Sequence, residues 1–104
     1  MNEIKQKLLK FRTDRNWEKF HNNERLAAKL SIEAAEVQEL FEWGKTPDKT
    51  RLAEELADVR IILEYLAHDN GIDLDQATED KLTKNAIKYP IKDYPEWSAT
   101  NENK

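Results

Sequence analysis

The chain has 104 residues, 37% of them charged, and a formal net charge of −4. This length allows one domain with an adequate core, and the acidic balance argues against a general nucleic-acid binder, whose surface is usually basic. The absence of cysteine excludes disulfides and thiolate metal sites. The N-terminal residues contain no signal-peptide core, and no apolar run is long enough to span a bilayer. We therefore expect a cytoplasmic protein without a membrane partner.

The residue pattern predicts helices throughout, because only two glycines and three prolines occur while Ala, Leu, Glu and Lys are frequent. The first helix is expected over about residues 2–15. Asn22 or Asn23 can cap a second helix, which runs to about Trp43. Gly44 suits the left-handed position at which helices often end.

Two more helices follow along the chain. Thr46 is the predicted N-cap of the third helix, with a proline at its first helical position, and this helix continues to about Asn70. Asp73 followed three residues later by Gln76 predicts a capping box. This box opens a fourth helix that ends near Lys88.

These elements predict an all-α fold, an antiparallel bundle of about four helices in which short loops join neighbours. We expect one helical domain over residues 1–90, followed by an irregular C-terminal tail over residues 91–104. Four short helices would leave apolar surface exposed in a monomer. We therefore expect dimerisation to complete the bundle, as a homodimer or as a homotetramer built from two dimers.

Four carboxylates form two pairs with i, i+3 spacing. Glu33 and Glu36 lie on the predicted second helix, and Glu55 and Asp58 lie on the third. Residues three apart share a helix face, so two such helices packed side by side would bring the four acids together. Such a cluster repels itself unless a hard divalent cation lies among its oxygens. Mg²⁺ is the usual ion when a phosphate-bearing substrate is involved.

Both pairs begin at the edge of an apolar stripe, whereas Glu39 and Glu64 are expected on the outward faces. An unpaired carboxylate at the edge of a buried face is costly, which favours a metal site, although the same spacing also occurs on solvated helix flanks. At about 100° per residue, Glu33 lies about 60° from Leu30 in the second-helix stripe. Glu55 has the same offset from the stripe of the third helix, which consists of Leu52, Leu56, Val59, Leu63 and Leu66.

Several motifs resemble those of a known family. The pattern Glu33-x-x-Glu36 followed by Glu55-x-x-Asp58 resembles the signature of MazG-type nucleoside triphosphate pyrophosphohydrolases, which belong to the all-α NTP pyrophosphatase superfamily. Three segments are similar to elements of the dCTP pyrophosphatase-like members of this superfamily, namely residues 15–21, 36–43 and 81–90.

The resemblance implies Mg²⁺-dependent hydrolysis, with Mn²⁺ as the alternative ion, of a nucleoside triphosphate to its monophosphate and pyrophosphate. Deoxynucleotides, and among them a dCTP-like pyrimidine, are the implied substrates, and cleansing of the nucleotide pool is the implied role. The resemblance also assigns metal binding and catalysis to Glu33, Glu36, Glu55 and Asp58. Which of these acids orients the attacking water stays open.

Further residues are assigned to the substrate. A base needs a flat partner to stack on, and Trp17 and Trp43 are the candidates, although tryptophans in so small a protein often belong to the core. His21 can contact the base or a phosphate, or can cap a helix. By resemblance, the phosphate contacts come from the end of the fourth helix, from Lys81, Asn85, Lys88 and Tyr89.

Two departures from the dCTP-preferring members weaken the expectation of a cytosine preference. Residues 86–88 replace an arginine run before Tyr89, and Ile62 replaces an aromatic residue. Two rival functions stay open as well. One is a non-catalytic helical interaction module, and the other is a Mg²⁺-dependent nucleotide phosphohydrolase that releases orthophosphate.

Overall fold

Four α-helices form the described part of the chain, which comprises residues 3–94 and residue 96 of a computed structural model. The predicted all-α fold is confirmed, and no strand occurs among these residues. The chain divides into two compact units, Met1–Ile72 and Asp73–Lys104. The helices are α1 (Glu3–Asp14), α2 (Asn23–Glu39) and α3 (Lys49–Asp69) in the first unit, and α4 (Leu74–Lys88) in the second. Three short 3-10 turns lie at Trp17–Phe20, Glu42–Gly44 and Ile91–Asp93.

The end of α2 differs from the prediction. The helix stops at Glu39, four residues before Trp43, and a short 3-10 turn follows it. Trp43 has a φ of 62° and Gly44 a φ of 73°, so two successive residues adopt the left-handed conformation. Glycine accepts this conformation without strain, whereas a bulky residue does so only at a cost. The reversal therefore starts one residue before the glycine.

The start of α3 also differs from the prediction, because Asp48 and not Thr46 is the N-cap. The Asp48 carboxylate accepts hydrogen bonds from the backbone N–H groups of Thr50 and Arg51, each at 3.3 Å. A carboxylate at this position satisfies two otherwise free amides and adds a favourable interaction with the helix dipole. These two terms outweigh the start signal given by Thr46 and the proline that follows it.

The remaining helix ends agree with the predictions. Asn22 caps α2, and its side chain accepts a hydrogen bond from the N–H of Arg25 at 2.8 Å. Gly71 follows α3 with a φ of 68°. The Asp73 carboxylate accepts from the N–H of Gln76 at 3.1 Å, but the Gln76 side chain donates forward to an aspartate one turn later. Only half of the predicted capping box is therefore formed.

The core of the first unit lies where α1, α2 and the second half of α3 meet. It consists of Leu8, Leu26, Ile62 and Tyr65, with Leu9, Leu30, Ile61 and Leu66 packed around it. The predicted stripe of α3 is therefore only partly correct, because Leu56 and Leu63 are exposed. Glu64, expected to face outward, is buried. Packing against two other helices buries a wider arc of α3 than one apolar stripe accounts for.

A partly buried ion pair joins α1 to the end of α3. Arg12 is only 3% exposed and donates from Nη2 to Asp69 Oδ1 at 2.7 Å and from Nη1 to Asp69 Oδ2 at 3.0 Å. Its guanidinium lies 4.6 Å from the ring centroid of Tyr65, whose hydroxyl donates to the backbone oxygen of Leu8 at 2.9 Å. Polar contacts as well as apolar burial therefore fix α1 on α3.

The C-terminal segment is described in part. Ile91–Asp93 form a 3-10 turn, whereas residue 95 and residues 97–104 of the predicted tail lie outside the described residues. The boundary between a 1–90 domain and a 91–104 tail stays a prediction. Within the described ranges, no helix has the length and apolar character needed to cross a membrane.

Candidate active site

Three of the four predicted acids converge where α2 packs against α3. Glu33 of α2 and Glu55 and Asp58 of α3 each offer a carboxylate oxygen, and these three oxygens lie within 4.8 Å of one another. Helices α2 and α3 make the most extensive interhelical contact in the described chain, so their packing fixes the positions of the three acids relative to one another. Three carboxylate oxygens at this spacing are suited to a divalent cation.

In both Glu33 and Glu55, one carboxylate oxygen forms an ion pair and the other has no partner among the described residues. Lys29 Nζ lies 3.5 Å from Glu33 Oε1, and Arg51 Nε lies 3.5 Å from Glu55 Oε1, in each case one turn earlier on the same helix. The other oxygen of each glutamate, Oε2, is buried and accepts no hydrogen bond within the described chain. A buried carboxylate oxygen without a partner is costly, and a cation bound there would remove that cost. The donor set therefore fits a hard divalent metal ion.

Glu36 lies beside the cluster of the other three acids and interacts with it. The Glu55 carboxyl group, with which a protonated Glu36 would share its proton, and repulsion by Glu33 raise the pKa of Glu36 to about 7. Burial, followed by repulsion from Glu33 and Glu55, raises the pKa of Asp58. In the absence of a cation, these acids therefore resist being charged together. Glu36 is placed to join a metal site or to hold a proton next to one.

A groove of about 880 Å³ opens beside Glu36 and Glu55. Its walls come from the end of α2, from the connection after Gly44 and from the first turn of α3. The remaining lining residues are Glu39, Leu40, Lys45, Thr46, Pro47, Asp48 and Arg51. The acid cluster thus borders a space large enough for a small-molecule ligand.

The two predicted base platforms differ in exposure. Trp43 is 92% exposed, at the left-handed turn that follows α2. Trp17 is partly exposed and packs edge-on against Phe11, with ring centroids 5.6 Å apart. A tryptophan so exposed as Trp43 has no role in the core of the described chain, so its ring is available to stack on a ligand or a partner.

His21 is half-buried and has partners within the protein. Its ring lies 5.6 Å from that of Tyr65, and its Nδ1 lies 3.3 Å from Arg12 Nη1. Burial, and then the charge of Arg12, lower the pKa of His21. The cap of α2 is Asn22, so the His21 side chain does not cap that helix. Its contact with a substrate stays a prediction.

Comparison with known proteins decides the family. The family model described as "MazG-like family" matches residues 23–101, which include both acidic pairs. The chain belongs to the MazG-like family. The family and the acidic cluster together suggest a divalent metal requirement.

Named relatives of this MazG-like chain are similar over most of its length. It is 36% identical to mouse dCTP pyrophosphatase 1 over 101 residues, which cover 88% of this chain and 59% of that protein. It is 34% identical to the human protein of the same name over 100 residues, covering 86% and 59% respectively. The chain therefore spans about three-fifths of the length of these curated relatives.

A solved structure supports the same fold. A pyrophosphatase from Archaeoglobus fulgidus superposes with a TM-score of 0.77 at 37% sequence identity. The match covers 85% of this MazG-like chain and 90% of the archaeal one.

Three of the predicted phosphate contacts lie on α4, in the second unit, and the fourth, Tyr89, follows its last residue. Lys81 borders a small, mainly apolar recess of about 230 Å³. Asn85 is half-buried, and its backbone oxygen accepts from the N–H of Tyr89 at 2.8 Å. Lys88 Nζ lies 5.3 Å from the Tyr89 ring centroid. The spacing of Lys81, Asn85 and Lys88 places them along one side of this MazG-like helix, and their binding of phosphate stays a prediction.

Sequence reasoning missed two cations of the first unit, Lys45 and Arg51, which border the groove. A lysine in a loop and an arginine in a first helical turn match none of the motifs considered. One feature of the sequence could have indicated Arg51: it stands four residues before Glu55, a spacing at which two helical residues can form an ion pair.

Proposed function

We propose that this chain cleaves nucleoside triphosphates between the α and β phosphates, consuming one water and releasing the monophosphate and pyrophosphate. One observation carries the proposal: the buried, unpartnered Oε2 atoms of Glu33 and Glu55 beside Asp58. Such oxygens are typical of a site that binds a cation, and phosphate substrates are commonly bound through one.

The relatives support the reaction class and suggest the substrate. The mouse and human relatives are named dCTP pyrophosphatase 1, and the archaeal structure is called a pyrophosphatase. We therefore propose a deoxynucleotide, with a dCTP-like pyrimidine first, and a role in cleansing the nucleotide pool in the cytoplasm. Ile62 and residues 86–88 are the positions at which the chain departs from the dCTP-preferring pattern, so dCTP should be tested beside the other deoxynucleotides.

The four acids are the proposed metal ligands, with Mg²⁺ as the ion and Mn²⁺ as its substitute. When bound, the ion supplies positive charge that offsets the phosphate charge and favours attack by water. Oε1 of Glu33 and Oε1 of Glu55 form ion pairs with Lys29 and Arg51, which leaves the buried Oε2 of each glutamate as the proposed donor to the ion. Glu36, which lies beside the other three acids and borders the groove, is the proposed acceptor of the proton from the attacking water.

The substrate contacts follow the motifs and the exposure of the side chains. Trp43 is the first candidate to stack on the base because of its exposure, with Trp17 and His21 as further contacts. Lys81, Asn85, Lys88 and Tyr89 are the proposed phosphate contacts, on the strength of their resemblance to the family motif.

We also propose that the protein assembles as a homodimer or a dimer of dimers. Ile32 on α2 and Leu56 on α3 are 57% and 51% exposed, and both lie on the helices that carry the acids. Apolar side chains of this size on neighbouring helices favour association. Light scattering combined with size-exclusion chromatography would measure the assembly.

The deciding experiment incubates the protein with each dNTP and NTP in Mg²⁺ and separates the products by ion-exchange chromatography. Monophosphate with pyrophosphate is the expected result. Diphosphate with orthophosphate would instead identify a phosphohydrolase. No turnover of any nucleotide, together with no Mg²⁺ binding in calorimetry, would leave the non-catalytic interaction module as the better description.

A further inference from the structure

The groove beside Glu36 and Glu55 contains two cations, neither of which is a proposed metal ligand. Lys45 lies in the connection between α2 and α3, and Arg51 lies in the first turn of α3. Both line the groove that the two glutamates border. An anion that reached the acid cluster through this groove would therefore pass both side chains.

We propose that Lys45 and Arg51 form the subsite for the β- and γ-phosphates of the triphosphate, and hence for the pyrophosphate that leaves. The inference rests on the proposed function, which places the cleaved bond at the acids. It names two residues in the first unit that bind the leaving group.

Both cations are available for a ligand. The Arg51 side chain is 63% exposed, and its one ion pair within the described chain joins Nε to Glu55 Oε1 at 3.5 Å. That pair leaves the two Nη groups without an acceptor there. Lys45 has no ion pair among the described residues, and its backbone N–H donates to the oxygen of Glu42 at 3.2 Å. A guanidinium fork and an ammonium group are the donors that phosphate groups commonly bind.

The lining of the groove favours phosphate over a base. Its side chains include no aromatic ring, so a base would find no face to stack on. Trp43, the exposed aromatic next to this segment, is not part of the lining. Since the bond to be cleaved lies at the acids, the nucleoside and the pyrophosphate leave that point in different directions. Pyrophosphate needs no aromatic ring to stack on, so it suits the groove better than the nucleoside does.

The charges of the groove determine the order of binding. Two cations face four acids there, Glu36, Glu39, Asp48 and Glu55, so the lining alone repels an anion. Asp48 is partly engaged as the cap of α3. A divalent cation at Glu36 and Glu55 would offset the excess of negative charge. Pyrophosphate should therefore bind only when the metal is present.

The test measures binding of inorganic pyrophosphate by isothermal titration calorimetry, with and without Mg²⁺, for the wild type and for Lys45→Gln, Arg51→Gln and the double variant. We expect each single variant to weaken pyrophosphate binding about tenfold and the double variant about a hundredfold, as for the loss of one and two charge-assisted contacts. Arg51→Lys, which keeps the charge but loses the guanidinium fork, should weaken binding less than Arg51→Gln does. Lys49→Gln and Arg60→Gln, exposed residues of α3 outside the groove, are the matched controls and should behave as the wild type.

Calorimetry with Mg²⁺ alone distinguishes a phosphate contact from an indirect effect on Glu55. We expect Lys45→Gln to bind Mg²⁺ as the wild type does while losing affinity for pyrophosphate. Unchanged pyrophosphate affinity in both single variants would overturn the inference. The inference would also be overturned if Lys45→Gln left pyrophosphate affinity unchanged while Arg51→Gln lost affinity for Mg²⁺ and for pyrophosphate in parallel. Arg51 would then act only on Glu55.

Kinetics separate this inference from the proposed function. If wild-type protein releases pyrophosphate from a dNTP, the variants should show a raised KM and weaker product inhibition by pyrophosphate. Turnover by the wild type with no such change in the variants would contradict the subsite alone. Absence of turnover in the wild type would contradict the proposed function, while the pyrophosphate titrations would still test the groove.

Discussion

Arg12 donates two hydrogen bonds to the carboxylate of Asp69, at 3.0 and 2.7 Å, although 57 positions separate the two residues in the chain. The guanidinium is buried and the carboxylate is largely covered, and the Nε atom of Arg12 is buried without an acceptor. This pair fixes the first helix against the end of the third, on the element that carries Glu55 and Asp58. Loss of the pair should therefore lower the stability of the whole first unit.

Removing one partner of this pair should be strongly destabilising. We expect Asp69→Asn, which leaves the buried Arg12 guanidinium without its charged partner, to lower the free energy of unfolding by about 3 kcal/mol. Arg12→Gln, which leaves the partly exposed Asp69 without its partner, should lower it by less. Urea denaturation followed by circular dichroism measures the effect. Lys10→Gln is the control, since Lys10 and Asp14 form an exposed ion pair at 2.7 Å that should contribute less than about 1 kcal/mol. Equal losses in the control and in Asp69→Asn would contradict this account.

The contributions of Asp69 and His21 to stability should fall as the solution is acidified, whereas the raised pKa values of Glu36 and Asp58 act in the opposite direction in the metal-free protein. The hydrogen bonds from Arg12 lower the pKa of Asp69, and burial followed by the charge of Arg12 lowers the pKa of His21. The unfolded chain therefore takes up these protons at a higher pH than the folded chain, and their stabilising contributions are lost as the pH falls. The loss should begin below the ordinary His value of 6.5 and deepen below the ordinary Asp value of 3.8.

Free energies of unfolding measured between about pH 8 and about pH 3 test this dependence, because this range includes the ordinary pKa values of His and Asp side chains. His21→Gln should flatten the upper part of the curve, and Asp69→Asn should flatten the lower part. Variant curves parallel to that of the wild type would contradict the assignment to His21 and Asp69.

The metal-free acid cluster should cost stability. Glu55→Gln removes a charge next to Glu36 and Glu33, so in EDTA we expect the variant to be about 1 kcal/mol more stable than the wild type. In Mg²⁺ the order should reverse, because the wild type gains about 2.7 kcal/mol at a hundredfold excess over the dissociation constant. Thermal unfolding under both conditions measures the change. Glu79→Gln on α4 is the control, and a matching response to Mg²⁺ in Glu55→Gln would argue against a metal site at this position.

The acids that complete the cluster should be needed for turnover. Glu36→Gln and Asp58→Asn are expected to lower kcat at least about a hundredfold, in line with the loss of a general base or of a metal ligand. Circular dichroism should show an unchanged helix content. Near-normal turnover in either variant would remove that residue from the proposed site.

Trp43 should bind substrate without supporting the fold. Since its side chain is 92% exposed, Trp43→Ala should change the free energy of unfolding by no more than about 0.5 kcal/mol. If the ring stacks on the base, KM for the nucleotide should rise about tenfold, since stacking contributes about 1–3 kcal/mol. Ile72→Ala, another exposed apolar residue, is the control and should leave KM unchanged. An unaltered KM in Trp43→Ala would assign the base to another platform.

The helices and the acid pairs could be predicted because they depend on local spacing. The residues of α1, the cap at Asn22, the stop at Gly71 and the start at Asp73 follow from interactions within a few positions of the chain. The i, i+3 spacing of Glu33 with Glu36 and of Glu55 with Asp58 is likewise local. Helix geometry alone gives each pair a common face.

Some local signals competed with one another, and only the folded chain shows which one dominates. Asp48 was preferred over Thr46 as the cap of α3, and the chain left the helix at Glu39 although the helical pattern continued to Trp43. The energies that separate such alternatives are about 1 kcal/mol, so small differences in capping decide them.

The sequence by itself determined the all-α fold and the pairing of the acids along each helix, because both depend on the periodicity of a single helix. Tertiary structure alone decided that Glu33, Glu55 and Asp58 meet within 4.8 Å, that Glu64 is buried, and that Arg12 and Asp69 pair. Each of these depends on how one helix packs against another. Contacts of this kind depend on the rotation and depth at which two surfaces pack, and the spacing of residues along one helix does not specify either quantity.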